Sequence, residues 1–251
     1  MRATAAAAAC LVICALAIGA RAEDTVVVPT RAGVTVALTL VPASGTARAI
    51  ALLFPGGVGV VGPRNRNFLL RVRDDLAQRG LFVAIADVPS DHSGGIDPTF
   101  RAGADAAQDI AAVVDELKRR ENLPVWLVGT SNGSISAANG AASIGPPRVA
   151  GAVLTSSVWS GGMSNVALEK IAVPVLIVHN RNDACPSAHF EGAALGLSRL
   201  VSAPAKELVP VSSTDVESGP CDPLAPHGYL GIEAQVAGIM ADWILAHPPA
   251  H

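Results

Sequence analysis

The residues most able to do chemistry lie in the pentapeptide Gly129-Thr130-Ser131-Asn132-Gly133. The pattern Gly-x-Ser-x-Gly is weak by itself in a chain this rich in Gly and Ser, and its setting gives it weight. Trp126-Leu127-Val128 before it reads as a strand, and residues 134–142 after it read as a helix. A serine on a sharp strand-to-helix turn exposes its oxygen at the strand end, as a nucleophile requires. The flanking glycines keep Cβ atoms away from the neighbouring strand and helix, and the helix N-terminus favours developing negative charge. The plain alternative is an ordinary turn in which a serine caps a helix.

A serine needs a base, and the base needs an orienting group. On such an elbow the chain order is serine, then acid, then histidine. Asp183, in His179-Asn180-Arg181-Asn182-Asp183, follows an apolar strand run at 173–178. His227, in Pro226-His227-Gly228-Tyr229, lies between the last strand and the last helix. These two are read as orienting acid and general base. Asp215 and Asp222 are rival acids in a Gly/Pro-rich loop. His179, His189, His247 and His251 are rival bases, with His189 next in order after His227. The oxyanion of acyl transfer needs donors. One is assigned to the backbone N–H of Asn132 and the other to Gly57, in the loop after the apolar run Ala49–Phe54. Neither Cys-x-x-Cys nor His-Glu-x-x-His spacing occurs, so neither metal nor cofactor is expected.

The elements that must position these groups alternate short apolar runs with helical patterns, as a mostly parallel α/β sheet requires. Residues 25–28 and 34–41 flank a turn at Arg31-Ala32-Gly33 and predict an antiparallel N-terminal hairpin. Further strands are predicted at 49–54, 81–88, 124–128, 149–155, 173–178 and 207–211. Helices are predicted at 67–78, 104–120, 132–142, 189–200 and 232–245. Within 104–120, Ile110, Val113, Val114 and Leu117 share a face, and the acids at its start and bases at its end suit the helix dipole.

Composition limits the alternatives. The chain has 251 residues, half of them apolar, and a formal charge of −3. There is no basic excess to neutralise phosphates, and aromatics are only 4%, so a nucleic-acid partner is not expected. Residues 3–20 are uncharged and mostly small or apolar, and Ala20-Arg21-Ala22 offers a signal-peptidase site. The expectation is a signal peptide at 1–22, cleaved to leave one domain at 23–251 with no membrane anchor, exported to the periplasm or beyond. Cleavage removes Arg2 and Arg21 and no acid, taking the formal charge from −3 to −5. It also removes Cys10 and Cys14. The remaining pair, Cys185 and Cys221, reads as one disulfide in an oxidising compartment, and it would tie the acid loop to the base loop.

With the elbow, the acid after the seventh strand and the late His-Gly in place, the whole mature chain resembles the α/β-hydrolase superfamily, in its small, lidless, secreted form. The resemblance implies a central sheet with helices on both faces and a Ser-His-Asp triad acting on a small-molecule ester. Pro55 stands where many relatives carry His, so the Gly56-Gly57 backbone must serve the oxyanion alone. Caps in this superfamily are usually inserted after the sixth strand. Only about 17 residues separate that strand from the next here, a loop's length and not a lid's. Asp91 and His92 are expected in a loop overhanging the site.

Thioesterase and peptidase chemistry share the same motifs. A non-catalytic binding module on this fold is a reading of another class. A dinucleotide-binding oxidoreductase is a third, because Gly57-Val58-Gly59-Val60-Val61-Gly62 is a literal Gly-x-Gly-x-x-Gly after an apolar strand. Pro63 and Arg64-Asn65-Arg66 directly after it read as loop, where that fingerprint needs a helix.

Overall fold

The computed structural model describes residues 24–249; the expected signal peptide, Cys10, Cys14 and His251 lie outside them. Eight strands form one sheet: β1 (Asp24–Pro29), β2 (Thr35–Val41), β3 (Ala49–Phe54), β4 (Leu81–Pro89), β5 (Val125–Thr130), β6 (Gly151–Thr155), β7 (Val175–Asn180) and β8 (Lys206–Val211). Their spatial order is β1-β2-β4-β3-β5-β6-β7-β8. β1 and β2 form the antiparallel hairpin, β2 joins β4 antiparallel, and every other pairing is parallel.

The apolar runs are continuous because both faces of the sheet are covered. In β3, Ile50, Leu52 and Phe54 enter one core, and Ala51 and Leu53 enter the other. The first core takes Ile110, Val113, Val114 and Leu117 from α4 (Ala104–Glu121), Ile135, Ala137, Ala138 and Ala141 from α5 (Gly133–Ile144), and Ala193 from α6 (Phe190–Arg199). The second takes Phe68, Leu69 and Leu70 from α1 (Phe68–Arg71), Leu76 from α2 (Arg73–Gln78), and Val236, Met240 and Ile244 from α7 (Glu233–Ala246). The connection at 156–174 holds two short 3₁₀ turns, Gly161–Asn165 and Leu168–Lys170, and no cap domain.

Two local features depart from expectation. The single helix predicted at 67–78 is two, broken at Val72, which sits at φ −102, ψ 5 with its side chain fully buried. Tertiary contacts override the helical pattern here. Arg71 at the end of α1 is drawn to the carbonyls of Pro223 and Gly228 and to Glu233. The second is a short unexpected helix, α3 (Pro98–Arg101), capped by Asp97, whose carboxylate accepts from the Phe100 N–H at 2.7 Å. An Asp at the cap with Pro at the first helical position is a legible start signal.

The chain reverses direction across the sheet at β3, which has β4 on one side and β5 on the other. In an open α/β sheet the crevice beyond the strand ends at such a switch point gathers ligands. The Gly56-Gly57 loop follows β3 there and Ser131 follows β5.

Candidate active site

Ser131 occupies φ +53, the left-handed region that a non-glycine residue adopts only under constraint. The constraint is visible on both sides. The Ser131 N–H donates to Thr155 O at 3.0 Å, and the Ser134 N–H and hydroxyl both donate to Ser131 O. A Cβ on Gly129 would lie 2.2 Å from Gly133 O, and one on Gly133 would lie 1.9 Å from Phe54 O. Any side chain at either position would push the turn apart, so the two glycines let strand, turn and helix stack this closely.

His227 lies on a 3₁₀ turn, Pro226–Gly228, between β8 and α7. Its Nε2 is 3.0 Å from Ser131 Oγ, and its Nδ1 is 2.8 Å from Asp183 Oδ2. The Cys185 N–H donates to the other carboxylate oxygen at 3.0 Å. An ionised carboxylate only accepts, so Nδ1 carries the proton and Nε2 is free to accept from the serine hydroxyl. Asp183 and His227 are buried, and Ser131 is half-buried.

The histidine loop is held from several directions. The Tyr229 hydroxyl donates to Val178 O at 2.7 Å and accepts from the Ser156 N–H at 2.8 Å; burial pushes that phenol's pKa up. Asn180 donates to Pro226 O, and Arg71 donates to Gly228 O. Cys185 and Cys221 are joined by a disulfide across 36 residues, so the loop of Asp183 is covalently tied to the chain entering the His227 turn.

The rival residues make other contacts. His179 is fully buried behind Asp183, 3.6 Å from its carboxylate, and its Nε2 donates to Ala188 O at 2.6 Å. Burial pulls its pKa below the ordinary histidine value and favours the neutral ring. His189 is exposed at the start of α6, and His247 packs on Trp243. Asp215 is exposed, and Asp222 is occupied with the Gly219 N–H. Asp91 and His92 are not among the residues that line the cleft at Ser131: Asp91 pairs with Arg31 and with His92, whose ring lies against Phe100. They are drawn away because Arg31 already gathers Asp91, Asp105 and Asp109. No helix opens on Gly57-Val58-Gly59-Val60-Val61-Gly62; α1 begins only at Phe68.

A cleft of about 160 Å³ opens over Ser131, between Gly57 and Asn67 on one side and Asp222, Pro223 and His227 on the other. Asn132 lies beside Gly57, its side-chain amide donating to Gly57 O at 3.3 Å. Among the described residues, neither backbone N–H is engaged by another protein group. Asn67 was not singled out from the sequence. Its Oδ1 caps α1 through the Leu69 N–H, which turns its amide nitrogen toward Gly56 and the serine. Arg101, also not foreseen, lies buried behind the Gly57 loop and donates to its carbonyls. No group of three or more His, Cys, Asp or Glu is arranged to hold a metal ion among the described residues.

No family model and no curated protein matches the chain. Solved structures do. A dienelactone hydrolase from Anabaena variabilis superposes with a TM-score of 0.69 at 21% identity, covering 90% of this chain and 98% of that one. A cold-adapted esterase from an Arctic intertidal metagenomic library gives 0.63 at 18% identity, with 90% and 93% covered. An α/β serine hydrolase without a lid from Xanthomonas campestris gives 0.66 at 13% identity, with 92% and 97% covered. The fold is that of the α/β-hydrolases, without a cap domain among the described residues.

Proposed function

We propose that the chain is a serine hydrolase that cleaves carboxylic esters through an acyl-enzyme. One observation carries the reading: His227 bridges Ser131 and Asp183 at 3.0 and 2.8 Å, and a ring proton placed on Nδ1 toward the carboxylate leaves Nε2 as a general base. Ser131 Oγ attacks the ester carbonyl while its proton passes to His227 Nε2. The carbonyl oxygen, now an anion, accepts from the N–H groups of Asn132 and Gly57. Asp183 stabilises the imidazolium, which then protonates the departing alkoxide. Water, deprotonated by His227, attacks the acyl-enzyme, and the imidazolium returns that proton to Ser131 Oγ as the bond to the acyl group breaks and the acid leaves. The esterase and hydrolase neighbours support ester chemistry on this fold. Labelling of the native protein by a fluorophosphonate should fall on Ser131; a folded chain that resists labelling overturns the reading in favour of a binding module.

The substrate class follows from the cleft. It is small, at about 160 Å³, and no cap covers it. A longer acyl chain would find little apolar wall on which to gain the roughly 0.8 kcal/mol that each buried CH₂ contributes. Small or protruding soluble esters are therefore the proposed substrates. With p-nitrophenyl esters, kcat/KM should be highest for acetate to butyrate and should not jump at the solubility limit. A steady rise toward long chains, or such a jump, sinks this part.

Export is part of the same proposal, supported by the Ala20-Arg21-Ala22 pattern and by the disulfide. No helix among the described residues is long and apolar enough to cross a membrane. Peptide mapping of protein from its host should find a chain starting at Glu23 with Cys185 linked to Cys221. Reduction should cost roughly 3–4 kcal/mol from loop entropy, seen as a lower Tm and weaker activity. A start at Met1 with two free thiols contradicts the proposal.

A further inference from the structure

Arg101 is almost fully buried, 1% exposed, and among the described residues no carboxylate lies within 4 Å to balance it. Burial lowers its pKa to about 10, which leaves it cationic at neutral pH. Burying an unpaired charge is costly, and an apolar side chain of similar size would fill the space without that cost. What the guanidinium adds is three hydrogen bonds. Nη1 donates to Ser136 Oγ of α5 at 2.9 Å, and Nη2 donates to Pro55 O at 3.1 Å and to Gly57 O at 3.3 Å.

The bonds to Pro55 O and Gly57 O hold the two peptides that flank the one carrying the Gly57 N–H. Gly56 O accepts from the Gly59 N–H at 3.2 Å, and Gly57 O accepts a second bond from the Asn132 side chain. With Pro55 O and Gly57 O on Arg101, all three carbonyls of the loop are held by the protein, and the Gly57 N–H is left unengaged. A carbonyl turned toward the oxyanion would repel it; an N–H turned toward it stabilises it. Arg101 reaches the loop because Gly59 is bare: a Cβ there would lie 2.7 Å from Nη2. Its own backbone is fixed to the elbow helix, since Asn139 of α5 donates to Arg101 O and Gly103 O, each at 2.9 Å. One residue thus links the loop after β3 to the helix that begins beside Asn132.

We propose that Arg101 is the positioning residue of the oxyanion hole, its buried guanidinium holding the Pro55 and Gly57 carbonyls so that the Gly56–Gly57 peptide between them presents the Gly57 N–H to the developing oxyanion. The proposal rests on the esterase reading of the site. The experiment compares full-length wild type with Arg101→Lys, Arg101→Gln and Arg101→Met. It reads kcat and KM on p-nitrophenyl acetate, inhibition by a trifluoromethyl ketone that forms a tetrahedral oxyanion adduct, and Tm. Losing the effect of one oxyanion donor lowers kcat by about 10²–10³, so Gln and Met should fall by that factor with KM little changed. Affinity for the ketone should fall in proportion. Lys, keeping the charge but not the fork, should lie between. If Met does not fold, Lys and Gln carry the comparison.

A purely structural role would lower Tm and activity without that proportionality, and such a result overturns the proposal. So does kcat within about threefold of wild type in folded Gln and Met variants, judged against the same 10²–10³ scale. So does failure of all three variants to fold. Wild-type protein that neither hydrolyses the ester nor reacts with a fluorophosphonate overturns the esterase reading instead.

Discussion

Ser131→Ala is expected to lower kcat by on the order of 10⁴–10⁶, the scale seen when one member of a catalytic unit is removed, while Tm stays at the wild-type value. The two halves of this expectation have separate causes. The hydroxyl Oγ makes one protein contact, to His227 Nε2, so its removal deletes the nucleophile and little else. The backbone that holds the residue at φ +53 is fixed by Thr155 O, by Ser134 and by the two glycines. Alanine has a Cβ in the same place and meets the same constraint. The proposed oxyanion donors, Asn132 and Gly57, are untouched, so substrate should still bind and KM should change little. A variant of undiminished Tm that keeps more than a trace of ester hydrolysis would show that another residue attacks the carbonyl.

Much of the scaffold was legible because both faces of the sheet are covered. β3 matches its apolar run from Ala49 to Phe54, and α4 extends the predicted helix by one residue to Glu121. Continuous apolar runs and a one-faced helix are local records of burial, and local records can be read from sequence. The break at Val72 was not legible, because it depends on Arg71 reaching carbonyls more than a hundred residues away. The short helix at Pro98 did carry a signal, Asp97-Pro98, which is easily passed over in a loop six residues before the start of a longer helix.

The site divides in the same way. Ser131 is marked by flanking glycines, whose need is local: each forbids a Cβ within 2.2 Å of a backbone oxygen. Asp183 and His227 were named from their places at strand ends, and the structure brings them together with Ser131. Arg101 and Asn67 could not be read this way. A single arginine in a polar segment is normally solvated, and nothing nearby in sequence shows that Gly59 clears a path for it. Asp91 and His92 illustrate the converse. A strand-end loop with an acid and a histidine invites a functional reading, but Arg31, distant in sequence, takes up the acid.

Asp183→Asn should cost about 10⁴ in kcat, comparable to removing the orienting acid from other triads, although it changes one atom and leaves the shape intact. The reason lies in Cys185. Its N–H donates to Asp183 Oδ1 at 3.0 Å, while Oδ2 accepts from His227 Nδ1 at 2.8 Å. An asparagine must give its single carbonyl oxygen to the Cys185 N–H, because an NH₂ group there would set donor against donor. Its NH₂ then faces His227 Nδ1, which becomes the acceptor. The ring proton moves to Nε2, so Nε2 can no longer take the proton of Ser131. The fold is kept and the base is silenced. Asp215→Asn and Asp222→Asn should leave kcat near wild type, since Asp215 is exposed and Asp222, although it lines the cleft, accepts from the Gly219 N–H while His227 is paired with Asp183. Alanine at Cys185 tests the backbone argument further. It removes the thiol and the disulfide but keeps the N–H, so Asp183 stays oriented in Cys185→Ala and kcat should fall far less than in Asp183→Asn. Loss of kcat in Cys185→Ala equal to that in Asp183→Asn, at a temperature where the variant is folded, would mean that the tether and not the amide sets the carboxylate.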